Sequence, residues 1–177
     1  MGIGAEAGAK HPLRLDPSTS HLSHRQRVKQ ARRRTCPMAD ASVSEELPAP
    51  VEVAWSFMED FSDMSRWSPD SNVVQSEGEG QGAVRTVESP DGRYVERCES
   101  YSPESYSFQY SLLESPHPYE SYLGTVTFTA IDEERCTITW EADFEMPDVK
   151  KEYVAKAIEE TYRDYFIMHL RTSLENR

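Results

Sequence analysis

The sequence is poor in cysteine, and none of its cysteines stands in a spacing that suits a metal. Only three occur in 177 residues, at Cys36, Cys98 and Cys136, and no CxxC pair is present. The five histidines are equally scattered, whereas structural zinc sites need ligands in closely spaced pairs. We therefore predict free thiols in a reducing, cytoplasmic compartment, with no metal site and no cofactor.

Long apolar runs and the common catalytic motifs are absent as well. No stretch approaches the roughly 18 apolar residues of a membrane span, and the N-terminus lacks the apolar core of a secretory signal, so we predict neither. The chain contains no GxSxG, P-loop, dinucleotide fingerprint or HExxH motif. Serine hydrolysis, phosphoryl transfer and hydride transfer are therefore without support. No pattern indicates a particular oligomeric state.

Basic residues are scarce beyond the N-terminal segment. Residues 1–38 contain eight basic and two acidic side chains, a net charge of +6, whereas the rest of the chain carries −18. A body that acidic repels nucleic acids and anionic membranes. We therefore predict no nucleic-acid partner for the folded domain.

The first 38 residues show neither helical nor strand periodicity and include the run Arg32-Arg33-Arg34. This composition predicts a disordered basic extension, followed by one domain over residues 39–177. Three explanations of the extension stay open: translation from a start codon upstream of a natural Met38, an Arg- and Ser-rich targeting peptide, and a basic arm that contacts nucleic acid or the acidic body. The composition break beside Met38 favours the first.

The remaining chain has a regular succession of strand and helix patterns. Val43–Leu47 indicates a first strand, and two short helices follow, one after Pro50 and one over Phe61–Trp67 with Asp60 as its cap. Six further strands are separated by turn residues. They are predicted at Asn72–Glu77, Ala83–Glu88, Arg93–Tyr101, Ser105–Leu113, Tyr119–Ile131 and Cys136–Met146. Because the turns are short, neighbouring strands should pair antiparallel.

The last strand and the C-terminal segment have the clearest periodicities. Apolar and polar residues alternate over residues 136–146, which indicates one buried and one solvated face. Asp148 is placed to cap a helix of about 27 residues and about 40 Å. Its apolar side recurs at helical spacing. That side comprises Val154, Ile158, Tyr162, Tyr165, Phe166, His169, Leu170 and Leu174.

These elements predict an α+β protein with a helix-grip fold. A seven-stranded curved antiparallel sheet would wrap around the long C-terminal helix, with two short helices after the first strand. A strongly curved sheet leaves a gap between itself and the helix. Ligand cavities usually measure about 300 to 1,000 Å³, so we expect a small-molecule cavity of that size.

Six short strings carry a family resemblance. They are Pro48–Trp55, Asp63–Pro69, Gly82–Thr86, Tyr94–Arg97, Tyr119–Tyr122 and Thr139–Glu141. In order and spacing they resemble the polyketide cyclase/dehydrase family of the START and Bet v 1-like (SRPBCC) superfamily, over residues 41–175. That family includes aromatase/cyclases, lipid and hormone carriers and coenzyme-Q-binding proteins, so the resemblance implies a ligand cavity more firmly than a reaction. It also implies that the loops Ser89–Gly92 and Ser115–Pro118 border the cavity mouth.

Arg85 and Glu96 are the strongest candidates for a polar site. They lie on adjacent predicted strands across the turn Pro90-Asp91-Gly92. A two-residue turn would place Arg85 opposite Cys98, whereas a four-residue turn would place it opposite Glu96. In both registers Arg85 and Glu96 lie on the inner face of the sheet. Buried opposite charges must pair. They form either a structural salt bridge or a site in which Arg85 holds a ligand carbonyl, phenolate or carboxylate while Glu96 orients it.

Tyrosines and one loop histidine complete the candidate set. The tyrosines, Tyr106 and Tyr119 among them, have two possible roles. Either their hydroxyls donate a proton or hydrogen bond to a ligand enolate or carbonyl, or their rings fill the core. His117 is either a base or ligand-sensing latch or an ordinary exposed histidine, and His169 is interpreted as a core residue. The predicted ligand-binding residues are Arg85, Glu96, Tyr94, Cys98, Tyr110, His117, Tyr122, Trp140, Tyr162 and Phe166. The candidate catalytic residues are Arg85, Glu96 and Tyr110.

Three functions remain open. The one we favour is a carrier or sensor that binds a small, mostly apolar or aromatic ligand in the cavity. The second is a cyclase/dehydrase-type enzyme that holds a poly-ketone chain and moves protons with Arg85, Glu96 or a tyrosine. The third is a protein-interaction module whose cavity is filled by side chains. A void smaller than about 100 Å³ would select the third.

Overall fold

The computed structural model describes residues 38–147 and 149–177. Its elements are β1 (Ala41–Leu47), α1 (Val51–Trp55), β2 (Asn72–Glu77), β3 (Val84–Ser89), β4 (Gly92–Ser102), β5 (Ser107–Glu114), β6 (Ser121–Ala130), β7 (Cys136–Glu145), α2 (Lys151–Thr161) and α3 (Met168–Glu175). A π-helical segment, Tyr162–Ile167, joins α2 to α3. The predicted basic extension, apart from Met38, and the predicted helix cap Asp148 lie outside the described residues.

The seven strands form one antiparallel sheet in the order β1-β7-β6-β5-β4-β3-β2. Strands β2 to β7 are therefore a meander in which each strand pairs with the next along the chain, as their short turns predict. Strand β1 pairs with β7, with Ala41 opposite Ala142 and Leu47 opposite Cys136. The predicted helix-grip α+β fold is confirmed.

One face of the sheet forms the core together with the C-terminal helix. Five alternate residues of β7 are at most 2% exposed, whereas the residues between them are half-buried or exposed. These buried β7 residues are Cys136, Ile138, Trp140, Ala142 and Phe144. The same buried cluster includes Ile158, Tyr162, Ile167, Leu170 and Leu174 of the helix. Removal of this apolar surface from water is the main stabilising contribution.

The second predicted short helix is wrong. Residues 60–69 form turns and bends. Asp60 Oδ1 accepts a hydrogen bond from the Ser62 backbone N–H at 2.8 Å, and Asp63 Oδ1 accepts one from the Ser65 backbone N–H, also at 2.8 Å. Asp side chains that bind nearby backbone groups compete with helix formation. The turns still bury three apolar side chains, Phe61, Met64 and Trp67.

The long C-terminal helix is interrupted by the π-helical segment, which the periodicity did not predict. The rings of Tyr162 and Phe166, both in this segment, stack on Trp140 of β7 with centroid distances of 4.8 and 5.1 Å. Such widened turns are frequent at functional sites. This one packs against β7, and it positions two aromatic side chains that line the cavity described next.

Candidate functional site

A cavity of about 660 Å³ separates the inner face of the sheet from the helix and lies within the size range of ligand sites. Its wall is mostly aromatic and aliphatic. Seven of the ten predicted ligand-binding residues line it, namely Tyr94, Glu96, Tyr110, His117, Tyr122, Tyr162 and Phe166. The other three, Arg85, Cys98 and Trp140, do not line it and contact the lining residues from behind.

The buried ion pair between Arg85 and Glu96 is present. The two residues are directly opposite each other, and Ser89 pairs with Gly92, so Pro90 and Asp91 are the linking residues. The register that aligns Arg85 with Glu96 is the one present, but with this two-residue link in place of the four-residue turn predicted for it. Arg85 Nε donates to Glu96 Oε2 at 2.6 Å, and the two residues are 2% and 8% exposed.

Arg85 is held behind the cavity wall by groups from the turns of residues 60–69. Its Nη1 donates to the backbone carbonyl of Phe61 at 2.6 Å. Its guanidinium carbon lies 4.1 Å from the centre of the Phe61 ring and 5.4 Å from that of Trp67, positions that favour a cation. With these partners Arg85 does not face a guest, contrary to the predicted anchoring of a ligand carbonyl by its guanidinium. It positions Glu96 instead.

Glu96 lines the cavity, and only one of its two carboxylate oxygens is paired within the described residues. Oε2 is taken by Arg85, whereas Oε1 makes no hydrogen bond with any residue in the described part of the chain. A buried carboxylate oxygen has strong acceptor capacity. Glu96 therefore offers one free acceptor to whatever occupies the cavity.

Three tyrosine hydroxyls meet deep in the cavity. The hydroxyl of Tyr162 lies 3.4 Å from that of Tyr110 and also contacts that of Tyr122. Trp140 Nε1 donates to the Tyr110 hydroxyl at 3.2 Å, so Trp140 supports the cluster without lining the cavity. Burial raises the pKa of all three tyrosines, and the Glu96 charge raises that of Tyr110 further. At neutral pH these groups are protonated hydrogen-bond donors.

Cys98 is also a supporting residue. It lies opposite Tyr110 in the sheet, is 1% exposed, and donates from Sγ to the Ser100 carbonyl at 3.3 Å. Burial raises the pKa of its thiol, although the Arg85 charge lowers it in part. A protonated thiol that does not reach the cavity is not a nucleophile, and its predicted ligand contact is absent from this arrangement.

The two predicted mouth loops both contribute lining residues, and they contact each other. Tyr94 Oη donates to Asp91 Oδ2 at 2.5 Å, and His117 Nε2 lies 3.5 Å from the same oxygen. Gly92 has a φ of +141°, and a Cβ atom there would lie 2.8 Å from Pro116. Only glycine permits this close approach between the β3–β4 and β5–β6 loops.

Part of the rim was not predicted from the sequence. Asp70, which directly follows the turns of residues 60–69, accepts a hydrogen bond from the Tyr165 hydroxyl at 3.1 Å. Ser71 and Ser89 are joined through their hydroxyls at 2.7 Å. All four line the cavity. Tyr165 stood on the predicted apolar side of the helix and Ser89 in a predicted mouth loop, but no sequence pattern distinguished Asp70 or Ser71.

Two aromatic residues considered in the sequence lie elsewhere. Tyr106 does not line the cavity, and its hydroxyl donates to Glu52 at 3.4 Å. The ring of His169 is half-buried, and its Nδ1 donates to the Tyr165 carbonyl at 2.8 Å, which agrees with its interpretation as a packed, hydrogen-bonded residue. Tyr119, by contrast, lines the cavity beside Tyr122.

Comparison with known proteins agrees with this fold. The family model for polyketide cyclase/dehydrase and lipid transport proteins matches residues 38–175. The chain belongs to this family. A search of curated proteins gave no match.

Solved structures similar to this family member share its fold. XoxI from Bacillus cereus is 22% identical with a TM-score of 0.66, over 75% of this chain and 93% of that one. A START superfamily protein from Mycobacterium smegmatis is 19% identical with a TM-score of 0.57, over 77% of this chain and 94% of that one. The di-domain ARO/CYC BexL from the BE-7585A biosynthetic pathway is 12% identical with a TM-score of 0.64, over 76% of this chain and 46% of that one.

Within residues 38–147 and 149–177, no three His, Cys, Asp or Glu side chains converge as metal ligands. None of the helices described there combines the length and apolar character of a membrane span. The side chains that line the cavity offer hydrogen bonding and apolar contact.

Proposed function

We propose that this domain binds a small, mostly apolar or aromatic ligand in its internal cavity, as a carrier or sensor. The observation that carries the proposal is a mostly apolar cavity of about 660 Å³ whose wall includes a cluster of three tyrosine hydroxyls. A space of that size accommodates a drug-sized molecule. Aromatic walls with a few convergent hydrogen-bonding groups are the usual composition of such sites.

Two observations favour binding over the enzymatic alternative. Glu96 is already paired with Arg85 at 2.6 Å, which opposes its acting as a strong base. The tyrosines of the cluster have raised pKa values because they are buried, which opposes ready proton release. The third function, an interaction module with a filled cavity, does not agree with the volume.

The experiment is a titration of the purified protein with pyrene, followed by the fluorescence of the probe. The variant Val154→Trp places a bulky ring in the cavity wall and is expected to abolish saturable binding. Val74→Trp is the matched control, because Val74 is 53% exposed and does not line the cavity. The proposal predicts binding to the wild type and the control. The proposal is wrong if neither the wild type nor the control binds pyrene, or if Val154→Trp and Val74→Trp bind it with the same affinity.

A further inference from the structure

The tyrosine cluster has more protons than it can use internally. Its three hydroxyls share two mutual hydrogen bonds, both of which involve Tyr162. Trp140 fills one acceptor position on Tyr110. Each hydroxyl has a single proton to donate, so two bonds consume two protons and one is left. Whichever way the chain of bonds runs, one O–H remains for a group in the cavity.

An unused hydrogen-bond acceptor lies near this cluster, on Glu96. Glu96 lines the cavity, its Oε2 is bound to Arg85, and its Oε1 has no hydrogen-bond partner among the described residues. A carboxylate has no proton to offer, so Oε1 acts only as an acceptor. The deep end of the cavity therefore presents one unused donor and one unused acceptor.

The charge of the wall restricts the ligand further. The lining contains the carboxylates of Asp70, Asp91 and Glu96 and no lysine or arginine from the described residues. Arg85 is not among the lining residues, and two of its N–H groups are taken by Glu96 and the Phe61 carbonyl. An anion placed deep in the cavity would lose its hydration without gaining a cationic partner.

From this arrangement we infer that the ligand is an uncharged molecule that carries a hydroxyl group, phenolic or alcoholic, at its buried end, and that carboxylates are rejected. This inference rests on the proposed function and specifies its ligand class. The hydroxyl donates to Glu96 Oε1 and accepts from the spare tyrosine proton, so that one group fills both positions. Arg85 is a positioning residue that holds Glu96 in place.

The test uses four probes with the same apolar skeleton, namely pyrene, acetylpyrene, hydroxypyrene and pyrene carboxylate. Acetylpyrene can accept but not donate, whereas hydroxypyrene does both. Near neutral pH, the wild-type protein is expected to bind hydroxypyrene about tenfold more tightly than acetylpyrene, since a hydrogen bond to a charged group contributes about that much. Acetylpyrene should bind more tightly than pyrene, and the carboxylate no more tightly than pyrene.

The variant Glu96→Gln tests the acceptor separately from the donor. Its amide oxygen replaces Oε2 as the partner of Arg85 and turns the NH₂ group toward the cavity, so the acceptor is lost. The preference for hydroxypyrene over acetylpyrene is expected to fall from about tenfold to near unity. Glu99→Gln is the matched control on the same strand, because Glu99 pairs with Arg97 at 2.6 Å and does not line the cavity. It should keep the wild-type preference.

The outcomes distinguish this inference from the proposed function. If pyrene binds but hydroxypyrene has no advantage over acetylpyrene, or if the carboxylate binds best, the inference is wrong and the cavity still binds apolar guests. An unchanged preference in Glu96→Gln also overturns it. If no probe binds the wild type, the proposed function is wrong and the inference with it. Because the wild-type series needs no substitution, the test stands even if Glu96→Gln fails to fold.

Discussion

Replacement of Arg85 by methionine should destabilise the domain far more than the same change at Arg97. Both arginines form ion pairs of 2.6 Å with a glutamate of β4. The side chains of the Arg85–Glu96 pair are 2% and 11% exposed, whereas those of Arg97 and Glu99 are 46% and 31% exposed. The comparison therefore contrasts a buried pair with an exposed pair of the same residue types and the same distance.

The magnitude follows from that difference in burial. Two unit charges 2.6 Å apart attract by about 6 kcal/mol at an effective dielectric constant of about 20, and desolvation offsets part of this in the intact protein. Arg85→Met leaves the Glu96 carboxylate buried without its partner, which typically costs about 3 to 5 kcal/mol. Arg97→Met breaks an exposed pair, which is expected to cost about 0 to 1 kcal/mol.

The assay is urea denaturation at neutral pH, monitored by circular dichroism and analysed by linear extrapolation. Glu96→Gln in the Arg85→Met background should recover part of the loss, since it removes the unpaired charge. If Arg85→Met and Arg97→Met lower the free energy of unfolding equally, the reasoning about the buried pair is refuted. An absence of recovery in the double variant would show that the loss arises from packing instead.

Three further predictions concern the cavity and its supports. Gly124→Ala would place a Cβ atom against the Tyr110 ring, so it should weaken hydroxypyrene binding and cost about 1 to 3 kcal/mol; unchanged values in titration and urea denaturation would contradict this contact. The raised pKa values of Tyr110, Tyr122 and Tyr162 mean that the folded state holds these protons more firmly than the unfolded chain does. The contribution of these protons to the free energy of unfolding should therefore be complete below pH about 10, the ordinary tyrosine pKa, and fall as pH rises above it. In denaturation experiments across that range, the free energy of unfolding of Tyr162→Phe should fall less steeply with pH than that of the wild type, and an identical slope would count against the prediction. In a Cys36→Ser background, Cys98 and Cys136 should resist a thiol reagent until the protein unfolds, because burial raises both pKa values, that of Cys136 to about 11; rapid labelling of the native protein would refute this.

The sequence predicted the sheet well because the sheet depends on local patterns. The alternation in β7 and the short turns between the strands determine which residues face inward and which strands are neighbours. Strand positions agree with the structure to within a few residues, for example Cys136–Met146 predicted against Cys136–Glu145 observed. The same alternation placed Arg85 and Glu96 on the inner face and in contact.

Features that depend on packing between distant segments were not predictable in this way. Arg85 turns away from the cavity because the carbonyl of Phe61 and the ring of Trp67 receive its guanidinium. Those groups belong to the turns of residues 60–69, where the sequence analysis predicted a short helix. The π-helical segment and the meeting of the Tyr110, Tyr122 and Tyr162 hydroxyls likewise require the helix and strands to be assembled first.

Native mass spectrometry of the protein as purified tests the central claim most directly, the claim that the space between sheet and helix holds a guest. The account predicts a species heavier than the polypeptide by the mass of one small molecule, present in the wild type and in Val74→Trp and missing from Val154→Trp. A wild-type protein that carries no guest as purified and acquires none when pyrene or hydroxypyrene is added would contradict it.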